Sequence, residues 1–418
     1  MKNKNNAKTI FFSIIAICTA SASVAQAQAQ TQNQAVSFGD AIAGGKFQFD
    51  ARLRYEYVNQ IGLPNNANAT TLRSKVNFQT KKFNGLTALI EVENITDLFG
   101  GEFNNTINGK TTYPVVADPN DTLLNRLFVE YSGINKTSII IGRQTINLNN
   151  QRHVGAVGWR QNDQTFDAIS VKNNSLLNTE IFYAYSTQVN RVFGTNSVQG
   201  AWKDTQIHLL NLSYDAKTFG KISVYNYLLD LPNAAALSTQ TFGARYEIVK
   251  ELPNFKLGFN AEFANQKDYA NNAVNVDLNY YSVEPSISFR NWQIKAQYEA
   301  KEGNGTRAFQ FPLGTNHAFD GWVDKFLTTP ANGLIDANIG VSYKANSSNK
   351  LFDGTKFSIA FHDFEAQNGG LRYGTEWNAI IEQNFGKNYS AGIKIGEYEA
   401  DNLFTNTTKI MLYFGLKF

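Results

Sequence analysis

Between Ile141 and Asp167 the sequence reads IGRQTINLNNQRHVGAVGWRQNDQTFD. It gathers Arg143, Arg152, Arg160 and His153 with no acidic residue before Asp163. Guanidinium groups set close together suit one task well, the bidentate binding of carboxylates such as those of acidic sugars. A surface loop or the charged wall of a pore would carry the same residues, so the surrounding elements decide. Other chemistry is sparse. His153, His208, His317 and His362 show no metal-ligand spacing. A hydrolytic Ser–His pair fails because His208 and Ser213 fall on opposite faces of one strand. Asp118–Asp121 (DPND) suits a calcium loop, though an ordinary turn suits it better. No enzyme activity, cofactor or metal is expected.

The N-terminus carries Lys2, Lys4 and Lys8, an apolar run from Ile10 to Ile17, and small residues up to Ala25-Gln26-Ala27. This pattern predicts a signal peptide over 1–27, shorter than a membrane helix. Its only charges are three lysines, so 38 − 3 leaves 35 basic against 35 acidic residues. That balance excludes nucleic acid as the expected partner. The single cysteine, Cys18, leaves with the signal, so no disulfide and no thiol nucleophile are expected. Residues 28–45 form a short tail, and 46–418 show no linker that would divide them.

Strict alternation dominates the rest. In KFQFDARLRYEYV, Phe47, Phe49, Ala51, Leu53, Tyr55 and Tyr57 oppose Gln48, Asp50, Arg52, Arg54 and Glu56. In the last segment, Ile410, Leu412, Phe414, Leu416 and Phe418 share one face. Period two is the mark of a strand with one apolar and one polar side. About eighteen strands are expected, near 46–58, 70–82, 86–96, 122–132, 136–147, 164–172, 177–188, 205–215, 220–230, 239–250, 255–266, 276–289, 292–301, 334–344, 355–365, 372–384, 389–398 and 407–418. Connections after even-numbered strands are mostly short, and those after odd-numbered strands mostly long; Ala345–Gly354 breaks the rule. Long strands, aromatic apolar faces and this loop asymmetry predict an all-β, transmembrane antiparallel β-barrel rather than a secreted sandwich.

Turning Arg52 and Arg54 toward lipid would cost ~2–4 kcal/mol each at mid-membrane, so they are expected to face the lumen. The same argument places Arg73, Lys75, Arg126, Arg143 and Arg245 inside, with Glu91, Glu93, Glu130, Glu247, Glu262, Asp336 and Glu376. Arg152 and Arg160 fall on the loop after the Arg143 strand. Asp320, Trp322 and Asp324, in the long loop Glu302–Gly333, are candidates for a constriction. The charges would form either a ladder for carboxylated solutes or a pairing network that stiffens the wall.

Several segments resemble the alginate-export family of outer-membrane porins. They are GGKFQFDARLRYEYV, ATTLRSKVNF, YPVVADPND, GRQTINLNNQRHVGAVGWRQNDQTFDA and GTNHAFDGWVDKFLTTPANGL, spread from Gly44 to Gly333. The resemblance implies a monomeric eighteen-stranded barrel with arginines and carboxylates in its lumen, in the outer membrane of a Gram-negative bacterium. It implies outward passage of an anionic polysaccharide. Uptake of small sugars and carboxylates through a general or anion-preferring porin is the nearest alternative, and a sealed structural or adhesive barrel a more distant one. Expected partners are outer-membrane lipid, the anionic solute, and the barrel-assembly machinery acting on the C-terminal strand.

Overall fold

The computed structural model describes residues 34–418; the expected signal peptide lies outside the described residues. A short helix, α1 (Phe38–Ala43), precedes the sheet, capped by the Ser37 side chain, which accepts the Asp40 N–H. The strands are β1 (Lys46–Gln60), β2 (Ala67–Gln79), β3 (Leu86–Asp97), β4 (Asp121–Tyr131), β5 (Thr137–Gln144), β6 (Thr165–Asn173), β7 (Thr179–Asn190), β8 (Ala201–Trp202), β9 (Gln206–Asp215) and β10 (Lys221–Asp230). They continue as β11 (Thr239–Glu251), β12 (Phe255–Asp268), β13 (Asp277–Phe289), β14 (Trp292–Lys301), β15 (Leu334–Lys344), β16 (Lys356–Glu365), β17 (Arg372–Phe385), β18 (Tyr389–Ala400) and β19 (Thr407–Lys417).

Each strand pairs antiparallel with its neighbours, and β1 pairs with β19 from Asp50↔Lys417 to Gln60↔Thr407, which closes the sheet. The two-residue β8 only extends the end of β7, so the nineteen strands less this one make a wall of eighteen. Closure removes both sheet edges, as a lipid environment requires of any spanning sheet. The outward positions are apolar and exposed: Phe47, Phe49 and Leu53 on β1, Phe259 and Phe263 on β12, Leu412 and Phe414 on β19. The inward alternates Arg54, Glu56, Arg73 and Lys75 are buried.

Strand bounds differ from expectation mainly beside turns. β2 stops at Gln79 rather than 82 because KFNG forms the hairpin, with Asn84 (φ 49°) and Gly85 (φ 83°) both left-handed. Asn-Gly supplies that pair of conformations at little cost, and their twist matches the flanking strands. β5 ends at Gln144, three residues early. The chain end is knitted into the wall: the Phe418 N–H donates to Phe49 O at 2.8 Å, and the Phe49 N–H returns a bond at 2.9 Å.

The lumen is not uniformly polar. Ile207, Leu209, Tyr225, Tyr227, Leu278 and Tyr280 point inward from β9, β10 and β13, and pack with Val154, Phe309, Phe311 and Leu313 from two long loops. This apolar core fills one side of the barrel. The loops are residues 145–164 and 302–333, joined where the Gly155 N–H donates to Leu313 O at 2.9 Å and the Thr315 N–H to Gln151 O at 3.0 Å. Both therefore fold into the barrel instead of projecting from it.

Candidate functional site

The two inward loops are fixed to the wall by buried ion pairs. Arg152, fully buried, grips two carboxylates: Glu299 on β14 at 2.9 and 2.8 Å, and Asp320 at 2.9 and 3.1 Å. Lys301 also reaches Asp320, at 2.5 Å. Glu299, Asp320 and Asp336 each bring an oxygen within 4.8 Å of the others. Arg152 and Lys301 neutralise the first two, and His362 bonds Asp336 at 2.9 Å. Arg160 bonds Glu56 on β1 at 3.2 Å and Asp324 at 3.4 Å. Arg54 bonds Asp118, and its Nη1 donates to the Trp159 carbonyl at 2.9 Å. Arg52 donates to the Gly158 carbonyl at 3.1 Å, to Gln161 Oε1 at 2.9 Å and to the Arg160 carbonyl. Three consecutive carbonyls are thus held by wall arginines, which sets the Trp159 ring across the lumen.

That ring lies between two cavities. It stacks on His317 at 3.5 Å with 10° between planes, and the Arg160 guanidinium lies 4.1 Å from its centre. On one side is a cavity of about 670 Å³ lined by β1, β17, β18, β19 and the short turn 386–388. On the other is a cavity of about 620 Å³, lined by the long loops and the far ends of β1 and β19. Trp159 lines both, and no other described residue does. The inner vestibule presents Arg52, Arg54, Arg73, Lys387, Lys394 and Lys417 against one carboxylate, Asp50. The outer is lined by Arg160, Arg191, Lys325, Lys409 and Asp324, with Glu56 and Asp118 buried behind Arg160. No carboxylate among the described residues lies within ion-pairing distance of Arg52 or Lys394.

The sequence-predicted residues divide accordingly. Arg52, Arg54, Arg73, Arg160 and Asp324 line the vestibules. Trp322 lies against the Lys394 ammonium, 4.0 Å from ring centre to nitrogen. Arg126 and Glu91 pair with one another on the inner wall, Glu93 pairs with Lys75, and Glu130 accepts from Ser138 low in the barrel. Arg245 is bound to Glu262 and Glu247, beneath the His153 loop. Arg143 is a correction. It pairs across the strands with Leu127, and its neighbours in register, Leu127, Val129 and Ile141, are exposed outward residues. Arg143 therefore sits on the outer face, bonded through Nε and Nη2 to Asp167 at 2.6 and 2.9 Å. It lies at the end of β5, where facing out costs far less than at mid-membrane. Asp118 is neither a calcium ligand nor a turn cap but the buried partner of Arg54 and Arg160.

The barrel has counterparts. The alginate export family model matches residues 45–301. The chain belongs to the alginate export family. No curated protein matches significantly. Among solved structures, OccAB2 of Acinetobacter baumannii is 16% identical with a TM-score of 0.68, covering 91% of this chain and 100% of that one. OpdK of Pseudomonas aeruginosa, solved with vanillate, is 10% identical with a TM-score of 0.68, covering 89% and 98%. OccAB4 of Acinetobacter baumannii is 12% identical at 0.67, covering 89% and 98%. These share the barrel fold. The protein is an outer-membrane channel of the alginate export family and carries out transport, not catalysis.

The loop charges of this alginate-export channel are firmly set. Burial opposes the charge of Arg160, but Glu56, Asp118 and Asp324 around it raise its pKa, so it stays cationic. Burial likewise opposes ionisation of Asp324, yet His317, Lys409 and Arg160 hold it below the ordinary carboxylate range. His317 is neutral: burial pushes it down to about 3. Its contacts agree, since Nδ1 meets Asp324 at 2.6 Å while Nε2 faces the Lys394 ammonium at 2.6 Å and must accept. The Lys325 ammonium lies near its titration point, lowered to about 8 by burial and then by Lys409. It is charged below that pH and neutral above it. Anion preference should therefore weaken as pH rises through about 8. Reversal potentials on either side of that pH check this, and Lys325→Arg should flatten the dependence.

Sequence reasoning missed Trp159, His317, Lys394 and Lys409 as site residues. Lys394 and Lys409 were accessible to it, because each sits at an inward parity between outward Ile393, Ile395 and Ile410.

Proposed function

We propose that the channel conducts small anionic solutes of the sugar-acid and carboxylate type, one molecule at a time. The observation that carries this reading is the pair of vestibules meeting at Trp159, in which Arg52, Arg191, Lys325, Lys387, Lys394 and Lys417 have no ion pair among the described residues. Fixed positive charge in a narrow, low-dielectric lumen concentrates anions. Trp159 and Tyr413 add aromatic surfaces suited to sugar rings and planar acids. Solution in complex with vanillate, a carboxylate, is a property of OpdK, and it fits this solute class.

Family membership favours a second reading, passage of an acidic polysaccharide. A polymer needs an uninterrupted path, and the Trp159 ring between the two cavities weighs toward monomeric acids. Purified channel in liposomes separates the two. Glucuronate should enter faster than glucose of similar size, while an oligomeric uronate is excluded. Faster entry of the oligomer would favour the polymer, and faster entry of glucose than of glucuronate would end the anionic reading.

A further inference from the structure

The Asp324 carboxylate is bound as a ligand would be. Lys409 Nζ lies 2.5 Å from Oδ2, Arg160 Nη2 3.4 Å from the same oxygen, and His317 Nδ1 2.6 Å from Oδ1. These donors come from three places: β19, the 145–164 loop and the 302–333 loop. Asp324, Arg160, His317 and Lys409 all line the outer vestibule, with side chains 2–7% exposed, so the cluster is buried at the edge of that cavity. Asp324 also holds a left-handed backbone, φ 67°, a conformation uncommon for any residue other than glycine. Its flank is pinned separately, where the Val323 N–H donates to Glu376 Oε1 at 2.9 Å.

Resting on the anionic reading above, we propose that Lys409, Arg160 and His317 form a carboxylate-binding site whose resident occupant is the tethered side chain of Asp324. A carboxylate-bearing solute exchanges with that occupant, and the exchange opens the way past Trp159. Arg160 follows Trp159 directly in the chain, and His317 stacks on the Trp159 ring. Displacing Asp324 takes from His317 the acceptor that orients it and from Arg160 one of its anchors. Both supports of the Trp159 ring then loosen together. The ligand is thus the carboxylate of a small acid, and an uncharged sugar of the same size lacks the group needed to compete. A ligand shifts a two-state element only through such differential binding.

The test uses the full channel in planar bilayers, with glucuronate or glucose added to the side bearing the long loops. Glucuronate should raise the fraction of time at the open level at least about threefold, and glucose should not. Asp324→Asn removes the tethered anion and nearly keeps its shape, so it should stay at the open level without glucuronate and ignore its addition. Asp324→Glu should restore the response. A wild-type conductance and response in Asp324→Asn overturns the latch. If that variant yields no heat-modifiable barrel, the wild-type comparison still decides, because an equal response to both sugars, or none, overturns the latch. A wild-type channel that prefers cations sinks the anionic reading beneath it. An anion-preferring channel indifferent to glucuronate sinks the latch alone.

Discussion

Replacing Arg152 by Met should unfasten the two loops from the wall. The guanidinium is fully buried and makes four hydrogen bonds to Glu299 and Asp320. Without it, two buried carboxylates share Lys301 alone. Breaking a buried charge network by removing one partner costs about 3–5 kcal/mol, most of it from the stranded charge. The shape of Met matches the stem, so packing against Phe311, 3.9 Å from the guanidinium, is largely kept. The expected result is a folded barrel with a lower melting temperature and a higher, noisier conductance, since the eighteen-strand wall does not depend on the loops. Melting of the heat-modifiable band and single-channel records check this together. An unchanged melting temperature with unchanged conductance would mean that Arg152 does not anchor the loops.

Neutralising Arg52 and Lys394 together should cut anion-over-cation permeability roughly tenfold, the scale at which a charged cleft concentrates counter-ions. These two cations line the inner vestibule and pair with no described carboxylate. Glutamine at both positions removes positive charge without stranding an acid; Arg52→Gln also releases the Gly158 and Arg160 carbonyls, so Lys394→Gln alone separates the loss of charge from the loss of those bonds. Arg54 is a poorer choice, because its loss would leave Asp118 buried beside Arg160 only. Arg143→Ala is the matched control: it lies on the outer face with Asp167 and should leave selectivity unchanged. The effect of the double variant should shrink with salt, as screening shortens to ~8 Å at physiological ionic strength.

Much of the wall was legible in the sequence because period two fixes which residues share a face. Arg52, Arg54, Arg73 and Glu91 follow from alternation and the cost of charge in lipid. Arg143 was misread for a physical reason. Ile139-Ile140-Ile141 is apolar at both parities, so the arginine alone set the facing, and at a strand end that cost is too small to set it. The apolar half of the lumen was hidden for another. In QIHLLNLSYD, Ile207 and Leu209 face inward while Leu210 and Leu212 face outward, so alternation blurs there. What those inward residues meet, Phe309 and Phe311 of a loop about a hundred positions away, is a tertiary fact that no local pattern carries. Trp159 belongs to the same class. Its neighbours in the chain are visible, but its role comes from Arg54 holding its own carbonyl, from Arg52 holding the carbonyls on either side, and from His317 arriving across the barrel.

The most direct test is the zero-current potential of the wild-type channel across a KCl gradient at neutral pH and low salt. Of the ten cations lining the two vestibules, six and four, Arg54, Arg73, Arg160 and Lys409 pair with Asp50, Glu56, Asp118 and Asp324; the six without an ion pair among the described residues predict that chloride crosses more readily than potassium. The potential should then carry the sign of an anion-selective pore. A potential of the opposite sign would contradict the account, whatever the barrel's conductance.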